Sequence, residues 1–134
     1  MPPADKYYAR EDKKYAKEHR MLFKNAQEVE RALEFLSRHF RLPYLEVKHR
    51  PAGAWSYFRP KHYWHKSHFD ICADHRDLVV IAHEFAHYLD YENALKDGRW
   101  GVRGLPQPYF RWHSKKHAAL VEECVALLKR RLGE

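Results

Sequence analysis

Residues 78–89 read LVVIAHEFAHYL, and this stretch decides the fold of the chain. Its apolar side chains recur at the spacing of one face of an α-helix. The members of this apolar face are Leu78, Ala82, Phe85 and Leu89. The pattern predicts a core helix from about Leu78 to about Tyr91, with Asp74 or Asp77 as the residue that caps its first turn.

Residues 83–87 of the predicted helix form the motif H-E-x-x-H. His83 and His87 are four positions apart, so their imidazoles lie one turn apart on one helix face and can bind the same zinc ion. Glu84 lies beside them, where a carboxylate can accept a proton from water activated by the metal. The motif predicts one zinc ion per chain with Glu84 as catalytic base. The alternative is a helix with two hydrogen-bonded histidines and one surface glutamate.

The third metal ligand is less clear from the sequence. A hydrolytic zinc site needs three protein ligands and one open position. Asn93 occupies the position that the longer H-E-x-x-H-x-x-G-x-x-H motif gives to a third histidine. His113 begins the last predicted helix, where it could approach a metal held on another helix, so it is a better candidate ligand than His117. We expect His117 to pack in the core or to support the site. Glu122 is a further alternative, although it lies off the apolar stripe of that helix.

The rest of the chain alternates between helical and extended patterns. Asn25 followed by Glu28 is typical of a capping box at the start of a helix. The other predicted elements are a helix at 26–40, strands near 45–49, 55–58 and 69–73, a hairpin tip at 60–67, and a last helix at 114–132. A helix, strands, a helix, a long loop and a C-terminal helix together predict an α+β domain. We expect this domain to span residues 25–134, preceded by a basic segment or arm at residues 1–24.

Charge and composition limit the classes of function that the protein can have. The chain has 134 residues, a hydrophobic fraction of 45% and a formal net charge of +7. The positive charge is concentrated in residues 1–24 and 111–134, a distribution that favours nucleic acid as a partner but also serves solubility. No apolar run approaches the roughly 18–20 residues of a membrane span, and no secretory signal is visible. We therefore expect a cytoplasmic protein with two free cysteines and no membrane partner.

The motif at residues 83–87, followed by HSKKH at residues 113–117, resembles the SprT-like (Spartan-type) zinc metallopeptidases. That family pairs H-E-x-x-H with H-G/S-x-x-F at the start of a later helix. The apolar residues 78–82 and the turn and strand at residues 53–57 are also similar, and the likeness covers roughly residues 26–132. His117 departs from the family pattern because it stands where the family usually has phenylalanine.

The resemblance implies that His83, His87 and His113 bind the zinc ion and that Glu84 is the catalytic base. It also implies a protein or peptide substrate, and the family includes proteases that act on DNA-bound proteins. The leading hypothesis is therefore a monomeric zinc-dependent metallopeptidase with nucleic acid as a further partner through its basic termini. The alternative is a nucleic-acid-binding module with a structural zinc site and no proteolysis.

Overall fold

The computed structural model describes residues 23–53, 56–61, 66–96 and 115–132. Its elements, in chain order, are α1 (Ala26–His39), β1 (Glu46–Arg50), β2 (Tyr57–Arg59), β3 (His68–Cys72), a 3-10 turn (Ala73–His75), α2 (Leu78–Lys96) and α3 (Lys115–Leu132). The predicted α+β class is confirmed. None of the helices in these ranges has the length and apolar character that a membrane crossing requires.

Helix α1 begins at the predicted capping box. The Asn25 side-chain oxygen accepts from the Glu28 backbone N–H at 2.9 Å, and the Glu28 carboxylate accepts from the Lys24 N–H at 2.8 Å. These bonds satisfy backbone donors that a helix start leaves without intrahelical partners. The helix buries Val29, Leu33 and related apolar residues in the core.

The three strands form a mixed sheet with β3 at its centre, parallel to β1 and antiparallel to β2. Strand β3 ends at Cys72, one residue before the predicted end, because residues 73–75 turn into a 3-10 helix. Side chains alternate between the two faces of a strand. Phe69 and Ile71 therefore face the helices, whereas His68 and Asp70 lie on the opposite face, which we call the outer face.

Helix α2 lies between the sheet and α3. Phe58 of β2 packs on Tyr88 with ring centroids 5.4 Å apart, and Phe69 of β3 packs on Phe85 at 6.2 Å. Helix α3 contacts the other side of α2 through one stripe of buried residues. The members of this stripe are His117, Val121, Cys124, Val125 and Leu128. Polar positions of α2 that would otherwise face solvent are thus enclosed by α3.

The N-terminal cap of α2 is Asp77 rather than Asp74. The Asp77 carboxylate accepts from the Val80 N–H at 2.9 Å, and the Asp77 carbonyl accepts from the Ile81 N–H at 3.1 Å. The helix runs five residues beyond the predicted end at Tyr91, to Lys96. The long connection predicted after it, and all but the last two residues of the basic segment predicted at residues 1–24, lie outside the described residues.

Both cysteines should resist alkylation in the folded protein. Cys72 and Cys124 are free thiols with no exposed surface, and burial, with the nearby Glu123 charge, raises the pKa of the Cys124 thiol. The thiolate is the reactive form, so a buried thiol with a raised pKa reacts slowly. Intact-mass spectrometry after iodoacetamide should show no adduct under native conditions and two adducts in guanidinium. Rapid modification of the native protein would contradict this packing.

Candidate metal centre

His83 and His87 lie one turn apart on the side of α2 that faces α3. They are 8% and 7% exposed, and their Nε2 atoms are 3.2 Å apart. Two imidazole nitrogens that share a tetrahedral zinc ion at about 2.0–2.1 Å are themselves about 3.3 Å apart. The spacing of this pair therefore fits two ligands of one ion.

His117 reaches the same place from α3. Its ring has no exposed surface and lies 3.9 Å from the His87 ring and 4.7 Å from the His83 ring, centroid to centroid. The candidate ligand atoms of the three side chains all lie within 4.8 Å of one another. Three buried histidines on two packed helices could therefore hold a metal ion. Imidazole ligands suit zinc, and also copper, iron and nickel.

The ring of His117 is fixed by a second contact. Its Nε2 atom lies 3.1 Å from the backbone carbonyl oxygen of His83. A carbonyl oxygen only accepts, so Nε2 carries the proton and the ring's lone pair is on Nδ1. Nδ1 is then the atom that His117 can offer to a metal, although its ring stacks on the His87 ring with planes 17° apart, so an ion shared by these two residues lies outside at least one ring plane. Hydrogen bonds of this kind, from the non-ligating nitrogen to a carbonyl, orient histidines in metal sites.

Glu84 is buried rather than on the surface, with 8% of its area exposed. Its Oε1 atom accepts a hydrogen bond of 2.8 Å from the backbone N–H of Phe58 in β2. The motif's carboxylate therefore lies between the histidine-bearing helix and the edge of the sheet. The surface-glutamate alternative raised by the sequence does not hold.

One aromatic neighbour of the site has a structural role. The Tyr88 hydroxyl donates to the Pro43 carbonyl oxygen at 2.8 Å, which ties α2 to the segment after α1. Burial, together with the negative charge of Glu92, raises the pKa of Tyr88. The phenol therefore stays protonated and remains a donor to Pro43 at neutral pH.

The structure brings together part of the predicted ligand set and adds one member. His83 and His87 meet in one buried cluster, and Glu84 is buried on the same helix with its carboxylate at the sheet, whereas the predicted third ligand, His113, lies outside the described residues. His117 was expected to pack or support, and it joins the cluster instead. Glu122, the other alternative, is exposed on α3. The sequence does indicate that His117 faces the core, because the apolar stripe of the last helix runs through it.

Comparison of the chain with protein-family models, with curated proteins and with solved structures gives no match. The class of the site is therefore defined by its own geometry. It is a buried three-histidine cluster in which an H-E-x-x-H helix supplies two members and a second helix supplies the third.

Proposed function

We propose that this protein is a zinc-dependent peptidase of the H-E-x-x-H type, related to the SprT-like metallopeptidases. The observation that carries the proposal is the meeting of His83, His87 and His117, from two helices, with the buried Glu84 next to His83 in the chain. Three imidazoles are the ligand set of known hydrolytic zinc sites, which leave a fourth position for water or substrate. In this proposal His117 takes the place that the resemblance assigns to His113.

In the proposed reaction, Glu84, Phe58 and His117 each have a separate role. A bound zinc ion supplies a Lewis acid that polarises the peptide carbonyl and makes water a better nucleophile. Glu84 accepts the proton of the attacking water and passes it to the departing nitrogen. The Phe58 N–H holds one carboxylate oxygen, so the base keeps a fixed orientation between helix and sheet. The Nε2 bond from His117 to the His83 carbonyl fixes the third imidazole in the same way.

A second candidate function is favoured by the burial of the site. His83, His87 and His117 are each at most 8% exposed. Such closure is typical of structural zinc, which four protein ligands enclose. Together with the net charge of +7, it supports a nucleic-acid-binding module in which zinc ties α2 to α3.

Removal of the metal tests the proposal. Chelation should abolish cleavage of unfolded casein, and about one equivalent of zinc should restore it. The melting temperature should fall with the loss of zinc, because binding to the folded state alone stabilises it. Acid should have the same effect as it protonates the imidazoles. Activity should be followed by release of labelled fragments and stability by circular dichroism.

The outcomes separate the two candidates. Cleavage that survives complete removal of zinc would contradict a metallopeptidase. A zinc-loaded protein that cleaves nothing, and binds nucleic acid with a strong salt dependence, would instead support the structural site. Equal melting temperatures with and without zinc would exclude an ion shared by α2 and α3.

A further inference from the structure

Strand β2 has an edge that runs past Glu84. It pairs with β3 on one side, where Phe58 stands opposite Phe69. The Phe58 N–H does not point to β3 but donates to the Glu84 carboxylate. In the described part of the chain no strand pairs with that outer side of β2. The proposed catalytic base is therefore hydrogen-bonded to this edge of the sheet, where it takes the N–H of Phe58 and leaves the Phe58 carbonyl oxygen as the outward-facing acceptor.

An extended peptide can bind at such an edge as an additional strand, held by main-chain hydrogen bonds. Its side chains then alternate between the two faces of the sheet. Phe58 points into the core, so its neighbours Tyr57 and Arg59 lie on the outer face. A peptide residue level with Arg59 or Tyr57 has its own side chain on that face.

Charges on the outer face alternate across the three strands. Asp70 in β3 is 5% exposed, and its carboxylate is held by Arg50 from β1 at 3.1 Å and by Arg59 from β2 at 3.1 Å. Across the sheet, from β1 through β3 to β2, the side chains of Arg50, Asp70 and Arg59 are positive, negative and positive. One carboxylate, which also lies 3.6 Å from His68 Nε2, balances at most one of the two guanidinium charges, and both arginine side chains remain almost half exposed, at 47% and 48%. A strand added beyond β2 therefore meets an accessible positive charge.

Arg59 is also held in position before any peptide arrives. Its guanidinium carbon lies 4.4 Å from the centroid of the Tyr57 ring, and its Nε atom is bound to Asp70. A side chain already held in place loses less conformational freedom on binding a second group. The guanidinium carries five N–H donors in a planar fork that matches a carboxylate.

We propose that the substrate peptide adds to the edge of β2 and that Arg59 selects an acidic side chain close to the scissile bond. This inference rests on the proposed peptidase function and names its substrate class. Side chains directly opposite each other on neighbouring strands have Cβ atoms about 4.5–5.5 Å apart, within reach of an ion pair. An acidic residue of the peptide, beyond β2, would extend the alternation of charge that runs from Arg50 through Asp70 to Arg59.

The test uses the zinc-loaded full chain and peptides that differ at one position. Glu, Gln or Lys is placed in turn at each residue flanking the scissile bond. At one position the kcat/KM should be about three- to tenfold higher for Glu than for Gln, and lower still for Lys, because exposed charge pairs contribute modestly. The preference should shrink at high salt.

Arg50 provides a matched control for Arg59. Both arginines bind Asp70 and are equally exposed, but Arg50 lies on β1, at the opposite edge of the sheet. Arg59→Gln should abolish the preference for Glu, whereas Arg50→Gln should retain it. Because either change removes a partner of the buried Asp70, the double variant Asp70→Asn/Arg59→Gln should be measured as well. Asp70→Asn/Arg59→Glu should reverse the preference towards Lys.

Three results would overturn the inference. The wild type could cleave all peptides of the series equally well. Arg50→Gln could lose the preference to the same extent as Arg59→Gln, which would assign it to the general charge of the face. Failure of the zinc-loaded wild type to cleave any peptide would remove the proposed function, and this inference with it, whereas cleavage without preference would remove the inference alone.

Discussion

Replacement of Glu84 by glutamine should lower peptide hydrolysis at least about 100-fold while the protein keeps its zinc, because general base catalysis typically contributes 10²–10⁴-fold. The glutamine amide cannot accept a proton from water. Its carbonyl oxygen can still accept the hydrogen bond from the Phe58 N–H, so the contact between α2 and β2 is preserved. The rate should be measured on a fluorogenic peptide, and zinc by mass spectrometry of the metal.

Glu122→Gln is the control for this change. Glu122 is exposed on α3, so the same chemical change there should leave both the rate and the zinc content unaltered. A Glu84→Gln protein that cleaves at the wild-type rate would show that Glu84 is not the base. Loss of zinc from Glu84→Gln would mean that the carboxylate helps to hold the metal.

Replacement of His117 should remove the metal. We expect His117→Phe to lose stoichiometric zinc, with a drop in affinity beyond the roughly 10- to 100-fold that follows loss of an outer partner of a ligand. Phenylalanine keeps an aromatic ring in this fully buried position but offers no lone pair. Circular dichroism should confirm that α3 is retained.

The same measurement on His113→Ala distinguishes two ligand sets. If His83, His87 and His117 form the site, zinc is lost with His117→Phe and kept with His113→Ala. If the ligand set implied by the family resemblance is correct, the result is reversed. Loss of zinc in both variants would indicate four histidine ligands and a closed, structural site. His39→Ala, at the exposed end of α1, should retain zinc in every case.

The parts of the site that the sequence predicts are local. The spacing of His83 and His87 places them on one helix face whatever surrounds that helix, and the cap at Asn25 depends on residues three positions apart. The participation of His117 depends on how α3 crosses α2. That crossing brings together residues that are far apart in the chain. The hydrogen bond from His117 to His83, for example, joins residues 34 positions apart.

The sheet shows the same division between local and tertiary information. Alternating patterns predicted its three strands near their observed places, but not that β1 is parallel to β3 or that β2 forms an edge. Asp70 is a charged residue at a buried position, which hydrophobic patterning does not foresee. It is accommodated because Arg50 and Arg59 arrive from the strands on either side.

In the proposed peptidase, the bond between the Phe58 amide and Glu84 would also affect turnover. The Phe58 N–H already donates to the Glu84 carboxylate, so it cannot also donate to a bound peptide. At this residue β2 therefore offers a peptide only the carbonyl oxygen as an acceptor. A peptide that paired there, as proposed, would be held by fewer main-chain hydrogen bonds than in a complete ladder and would leave readily. Tight ground-state binding does not raise kcat, so an incompletely paired groove favours rapid release of the cleaved halves.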